Sequence, residues 1–130
     1  MCIRDRDGVH LSSHPGELTP AQVRLLYRGA ACPDPFISVS CHTLEDIRRA
    51  RGAKASAALF APVFGKFIPG QSMAREQVSA PVGLAALRAA CLEAAPMPVF
   101  ALGGVTDENA PQCLLAGAAG VAAIRLFMQP

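Results

Sequence analysis

The chain has 130 residues, 52% of them hydrophobic and 17% charged, with a formal net charge of +2. That length suits one ordinary domain, and that apolar content supports a packed core and argues against disorder. A charge so small, no tryptophan and no basic run with interleaved aromatics leave no footprint for nucleic acid, and no segment reaches the ~18 apolar residues of a membrane helix.

Met1 to Arg6 are polar and lack the apolar stretch of a signal peptide. The first strand is expected at Gly8–Leu11. Thr19-Pro20 then opens a helix, with Thr19 as N-cap and Pro20 at the first helical position. Val23, Leu26 and Tyr27 fall on its inner face and Gly29 closes it. Phe36–Ser40 is the second strand. Thr43-Leu-Glu-Asp46 has capping-box spacing and turns Leu44 and Ile47 inward. Ala57–Phe60 is the third strand.

The stretch from Gly65 to Val82 is irregular, with Gly65, Pro69, Gly70, Ser72, Ser79 and Pro81. A loop this long after a strand is a candidate lid. Leu84, Leu87 and Cys91 form the stripe of a third helix that ends before Pro96. Pro98–Leu102 is the fourth strand. Asn109 or Thr106 caps a fourth helix, which must start late because Pro111 cannot lie deep inside it. Gly120–Ile124 is the fifth strand. The last two strands are apolar runs without alternation, as expected when both faces are covered.

Strands alternating with helices mean right-handed crossovers and a parallel sheet. The fold class is therefore α/β. Five strands do not close a barrel, and a complete (β/α)₈ barrel needs roughly 200 residues or more. The chain is either a small open sheet or the later part of a barrel. Gly103-Gly104, between the fourth strand and a capped helix, lets backbone approach a ligand. Loops after the last two strands of such barrels commonly bind phosphate. A phosphate-bearing small molecule is thus the expected ligand class, and the double glycine is alternatively only a tight turn.

The five cysteines, Cys2, Cys32, Cys41, Cys91 and Cys113, are odd in number, scattered and without a C-x-x-C. A disulfide framework or zinc site is not expected, and small buried hydrophobes in a reduced, cytoplasmic compartment are. The three histidines lack metal-ligand spacing. His10 reads as a satisfied core histidine and His14 as an exposed turn residue. Cys41 adjoins His42, but neighbours on a strand point to opposite faces, so Cys41 should not share a face with Ser40 or His42.

Six segments in order resemble one known family. They are Asp7-Gly-Val-His-Leu11, Ser38-Val-Ser-Cys-His-Thr-Leu-Glu45, Leu59-Phe-Ala-Pro-Val-Phe64, Val82-Gly-Leu84, Val99-Phe-Ala-Leu-Gly-Gly-Val-Thr106 with Asn109-Ala110, and Ala116-Gly-Ala-Ala-Gly-Val-Ala-Ala-Ile124. They are similar to thiamine phosphate synthase and its relative, the TenI-type thiazole tautomerase. The resemblance implies a partial (β/α)₈ barrel, roughly strands four to eight, over residues 7–130. It leaves 1–6 as a non-native leader. It implies a transferase that joins hydroxymethylpyrimidine diphosphate to thiazole phosphate and releases pyrophosphate. It also implies Mg²⁺, with small-molecule phosphates (thiazole phosphate, thiamine phosphate) as partners.

The family's diphosphate-gripping Gln-x-Arg-x-Lys and its first metal-binding Asn-Asp do not occur in these 130 residues. The fragment is therefore expected to be inactive by itself. Its outer strands would be open edges that favour aggregation or a swapped homo-oligomer.

By the same resemblance, Ser40 matches the substrate-contacting serine. Gly103 and Gly104 match the double glycine that offers N–H groups to the thiazole phosphate, and Ile124 matches a phosphate-site position. Arg125 stands where Ser is usual. It would suit a phosphate through its bidentate fork, or else pair with Asp107 or Glu108. The family's second metal ligand, an Asp, falls near Pro15, with Glu17 close but out of register. Its Thr-x-Thr-Lys loop is replaced by Gly65-Lys66-Phe67, leaving Lys66 as a phosphate contact or a surface lysine. His42 would be the acid–base residue of the tautomerase, or a histidine that caps the next helix or bonds its backbone. The alternatives to a synthase are a TenI-like tautomerase and a non-catalytic phosphate-ligand binding domain.

Overall fold

The computed structural model describes residues 8–12, 14, 16–28, 34–65 and 82–123. Its elements in chain order are β1 (Gly8–Leu11), α1 (Pro20–Tyr27), β2 (Phe36–Cys41), α2 (Leu44–Gly52), β3 (Ala57–Phe60), α3 (Gly83–Ala94), β4 (Val99–Leu102), α4 (Ala110–Leu115) and β5 (Gly120–Ala122). The five strands form one sheet in the order β1-β2-β3-β4-β5, and every pair is parallel. A strictly sequential parallel order with right-handed crossovers puts every connecting helix on the same face. A doubly wound sheet would reverse its order at a switch point, and this one does not.

The pairing register decides which face is which. Val9 pairs with Ile37, Val39 with Ala58, Ala58 with Val99, and Ala101 with Val121. These residues and their period-2 neighbours Leu11, Cys41 and Phe60 point to the helix layer. There Cys41, Ala58, Phe60, Val99 and Ala101 pack with Ile47 of α2, Leu87 and Ala90 of α3, and Cys113 of α4. A smaller cluster joins Leu11 and Ile37 to Val23 and Tyr27 of α1. Completely burying an Ile or Leu side chain is worth about 1.5–3 kcal/mol, so Ile47 and Leu87 anchor the central helices.

The opposite face carries His10, Ser38, Ser40, Ala57, Leu59, Phe100 and Leu102, and of these Ala57 alone is fully buried. Among the described residues no helix covers it. Within these residues β4 alternates buried Val99 and Ala101 with half-buried Phe100 and Leu102. The Phe100 ring lies against Gly120, where an added Cβ would meet its Cδ1 and Cε1 at 3.0 Å.

Both predicted helix starts are present as capping boxes. The Thr19 amide donates to Gln22 Oε1 at 2.8 Å and the Gln22 amide to Thr19 Oγ1 at 3.2 Å. The Thr43 amide donates to Asp46 Oδ2 at 3.2 Å and the Asp46 amide to Thr43 Oγ1 at 3.1 Å. Each satisfies amides that a helix start would otherwise leave open. Leu26 was expected on the inner face of α1 and is exposed, whereas Val23 and Tyr27 are buried. The sheet beneath α1 ends at β1, so only the i, i+4 pair reaches apolar surface. Arg24 fastens α1 to the end of α2, donating to the Ala53 carbonyl at 2.7 Å and to the Lys54 carbonyl.

Cys41 and Cys113 are buried and Cys91 is partly so, which agrees with their reading as small apolar residues. Cys2 and Cys32 lie outside the described residues, as do Gly29 and the lid-candidate loop from 66 to 81. Among the described residues no helix is long and apolar enough to cross a membrane.

Candidate functional site at the carboxyl edge of the sheet

In parallel α/β sheets ligands bind beyond the carboxyl ends of the strands, and here the candidate residues collect there. Ser40 is the penultimate residue of β2 and lies on the open face, half-buried. His42 follows β2. Its Nδ1 is 2.8 Å from the Ala61 carbonyl oxygen, in the loop after β3. A carbonyl only accepts, so Nδ1 carries the proton and Nε2 is the ring's remaining basic position in the neutral form. The His42 amide donates to Asp46 Oδ2 at 2.9 Å, so the same residue also helps to cap α2. The ring thus bonds backbone of the loop after β3 and not of the next helix, and this bond fixes the tautomer that an acid–base role would use.

Cys41 points the other way, as the strand period requires. It is fully buried and its thiol is pushed up to about 12, mainly by that burial. Burial on the helix side keeps this thiol away from the carboxyl-edge residues.

Gly103 and Gly104 follow β4 with φ of 100° and 65°, conformations that disfavour any side chain. The turn they make is packed hard against the loop after β3. A Cβ on Gly103 would stand 2.7 Å from the Pro62 Cα, and one on Gly104 2.8 Å from the Gly65 carbonyl oxygen. The Val63 amide donates to the Leu102 carbonyl and the Phe64 amide to the Gly103 carbonyl, both at 3.0 Å. Among the described residues neither the Gly103 nor the Gly104 amide has an acceptor. The tight-turn reading of the double glycine is therefore present, and the turn also offers two adjacent N–H groups.

Asn109 holds this turn from the other side. It starts α4 without a side-chain cap, and its side chain instead accepts from the Thr106 amide at 2.7 Å and donates to the Gly104 carbonyl at 3.0 Å. The Asn109 amide donates back to Thr106 Oγ1 at 3.3 Å. Asn109 is thus the N-cap position, but neither its side chain nor that of Thr106 caps an amide inside α4. Pro111 sits in the first turn of α4, where a missing N–H costs nothing.

His10 differs from its expectation. It is satisfied but not in the core: its ring lies on the open face with Nδ1 2.8 Å from Ser38 Oγ and Nε2 2.8 Å from Ser40 Oγ. Residue parity puts His10, Ser38 and Ser40 on one face. The register that sets His10 beside Ser38 depends on strand pairing, which periodicity alone does not give. His14 is exposed, as expected. Lys66, Ile124 and Arg125 lie outside the described residues, as does Pro15.

Among the described residues none makes the Mg²⁺ site that the resemblance implies. Glu17, the nearest carboxylate to the expected ligand position, accepts from the Ser12 amide at 3.1 Å. Among the described residues no three His, Cys, Asp or Glu stand together as a metal would need. Hydrogen bonding from Ser12, side chain first and then backbone, holds the Glu17 carboxyl below its ordinary value of 4.5. A depressed carboxyl contributes stability above its unfolded pKa and loses it as pH falls through the folded one. Amide exchange at Ser12 should therefore quicken as pH drops below 4.5, relative to amides in β3, and a Glu17→Gln variant should lose that pH dependence.

Sequential parallel strands, helices on one face, and a glycine turn with polar side chains at the carboxyl edge define an α/β protein of the (β/α) barrel type. The chain matches the family model of thiamine monophosphate synthase (TMP-TENI) over residues 4–127, and it belongs to that family. It is 37% identical over 124 residues to thiamine-phosphate synthase from Alcanivorax borkumensis, covering 95% of this chain and 51% of that protein. It is 35% identical to thiamine-phosphate synthase from Xanthomonas campestris pv. campestris, covering 91% of this chain and 50% of that one. Among solved structures it superposes on thiamine phosphate pyrophosphorylase from Pyrococcus furiosus with a TM-score of 0.66 and 27% identity, over 92% of this chain and 50% of that chain. The chain thus spans about half the length of the relatives it matches.

Proposed function

We propose that the protein acts as a thiamine phosphate synthase, joining hydroxymethylpyrimidine diphosphate to thiazole phosphate and releasing pyrophosphate. The observation that carries this reading is the Gly103-Gly104 turn. Two positive-φ glycines present adjacent amides at the strand edge that also bears Ser40 and His42. Donors fixed by the fold bind an anion without having to be ordered on arrival. In this reading Gly103 and Gly104 hold the thiazole phosphate, Ser40 contacts substrate, and Lys66, Ile124 and Arg125 complete the phosphate site. Cytoplasmic location and a homo-oligomeric state belong to the same proposal.

His42 favours a second reading. Its Nδ1 is committed to Ala61, so Nε2 is left as the position that could move a proton, which a TenI-like tautomerase needs.

The test is an assay of the full-length protein with both substrates and Mg²⁺. Pyrophosphate release that requires thiazole phosphate supports the synthase. Without that release, tautomerisation of thiazole carboxylate phosphate that falls roughly 10²–10⁴-fold in His42→Ala establishes the second reading instead. If neither reaction occurs, both readings fall and a phosphate-binding domain remains. The 130 residues alone, having no Gln-x-Arg-x-Lys and no Asn-Asp, should release no pyrophosphate above background.

A further inference from the structure

We propose that His10 is a positioning residue for Ser40, with Ser38 as the second hydroxyl that its ring must satisfy. The inference rests on the reading of Ser40 as a substrate contact. The imidazole is bracketed by two hydroxyls, Ser38 Oγ on Nδ1 and Ser40 Oγ on Nε2, each at 2.8 Å. A neutral imidazole has one N–H and one lone pair. It must therefore donate to one serine and accept from the other. If Nδ1–H donates to Ser38, the Ser40 hydroxyl gives its proton to Nε2 and turns its lone pairs to the ligand. In the other tautomer Nε2–H occupies a Ser40 lone pair and the hydroxyl proton is left for a ligand acceptor. Either way the Ser40 rotor is not free, and the polarity it shows to substrate is decided one residue away.

The three side chains come from adjacent strands in register, His10 opposite Ser38, so the bracket is built on the sheet and not on a loop. Groups set on rigid elements hold the tighter geometry.

Two measurements on the full-length protein test this. The first compares kcat/KM for pyrophosphate release. His10→Ala should lose about tenfold, the worth of one ordinary hydrogen bond. His10→Gln, whose terminal amide reaches the place of Nε2, should stay near wild type, whereas His10→Asn, which reaches only the place of Nδ1, should behave like His10→Ala. In a Ser40→Ala background His10→Ala should add almost nothing. Equal Gln and Asn variants, or multiplying losses in the double variant, overturn the proposal. If His10→Ala does not fold, the Gln and Asn pair decides. A neutral Ser40→Ala overturns the substrate-contact reading and this proposal with it.

The second measurement needs no activity. Nitrogen-15 spectra of the histidine rings, taken at a pH where His10 is neutral, should show a tautomer balance that Ser38→Ala shifts. Averaged ring signals that ignore Ser38→Ala overturn the bracket itself, whatever the enzyme assay shows.

Discussion

Gly103→Ala is expected to destabilise the protein by roughly 2–4 kcal/mol and to remove phosphate affinity with it. Two costs add. A φ of 100° is strained for any residue with a Cβ. The new methyl would also stand 2.7 Å from the Pro62 Cα and 2.9 Å from its Cβ, and backbone cannot yield as a flexible side chain can. Relief means moving the loop after β3 away, which breaks the bonds from Val63 to Leu102 and from Phe64 to Gly103. Gly16 supplies the control. Its φ is 101°, yet nothing lies within 4 Å of an added Cβ. Gly16→Ala should therefore show the strain alone, about 1–2 kcal/mol. Urea midpoints of the two variants separate the terms, and equal shifts would mean that the packing of the Gly103 turn contributes nothing.

Phe60→Ala should cost about 3–5 kcal/mol, a large part of the 5–15 kcal/mol that holds an ordinary domain folded. Phe60 is 2% exposed, on the middle strand of the sheet, and it heads the fully buried side chains by size. It packs on the helix side in the cluster with Ile47, Leu87 and Val99. Truncation would open a cavity between two layers that are each braced by their own hydrogen bonds, so collapse can recover little. Phe36→Ala makes the contrast, because Phe36 is 52% exposed at the start of β2 and should move stability by no more than about 0.5 kcal/mol. Thermal or denaturant unfolding of both variants checks the pair, and similar losses would contradict the assignment of the core.

Local signals were the ones readable from residues alone. Thr19-Pro20 and the Thr43–Asp46 box encode helix starts within four residues, and both caps are present. Gly8–Leu11 and Ala57–Phe60 are bounded as their apolar runs suggest, while β2 runs on through Cys41 and β4 begins at Val99. Cys41 was placed correctly because strand alternation needs no knowledge of the partner strand.

What depended on distant partners was less legible. Leu26 fits an apolar helix face, yet α1 lies over the edge strand and finds too little surface to bury it. His10 has the pattern of a core residue. Only the register of β1 on β2 shows that it meets two hydroxyls on the open face. The choice between an open sheet and a barrel piece likewise needed the strand order, since both readings share the same alternation of elements. The double role of the glycine turn, clamped against the loop after β3 while offering its amides, arises from a contact across some 40 residues that no short motif encodes.

The most direct test of the account is a titration of thiazole phosphate into nitrogen-15-labelled full-length protein. Saturable shifts at the Gly103 and Gly104 amides, absent in Gly103→Ala and kept in Gly16→Ala, are predicted. Saturable binding that leaves both amides unmoved, or no binding at all, would contradict the assignment of the carboxyl-edge turn as the phosphate site.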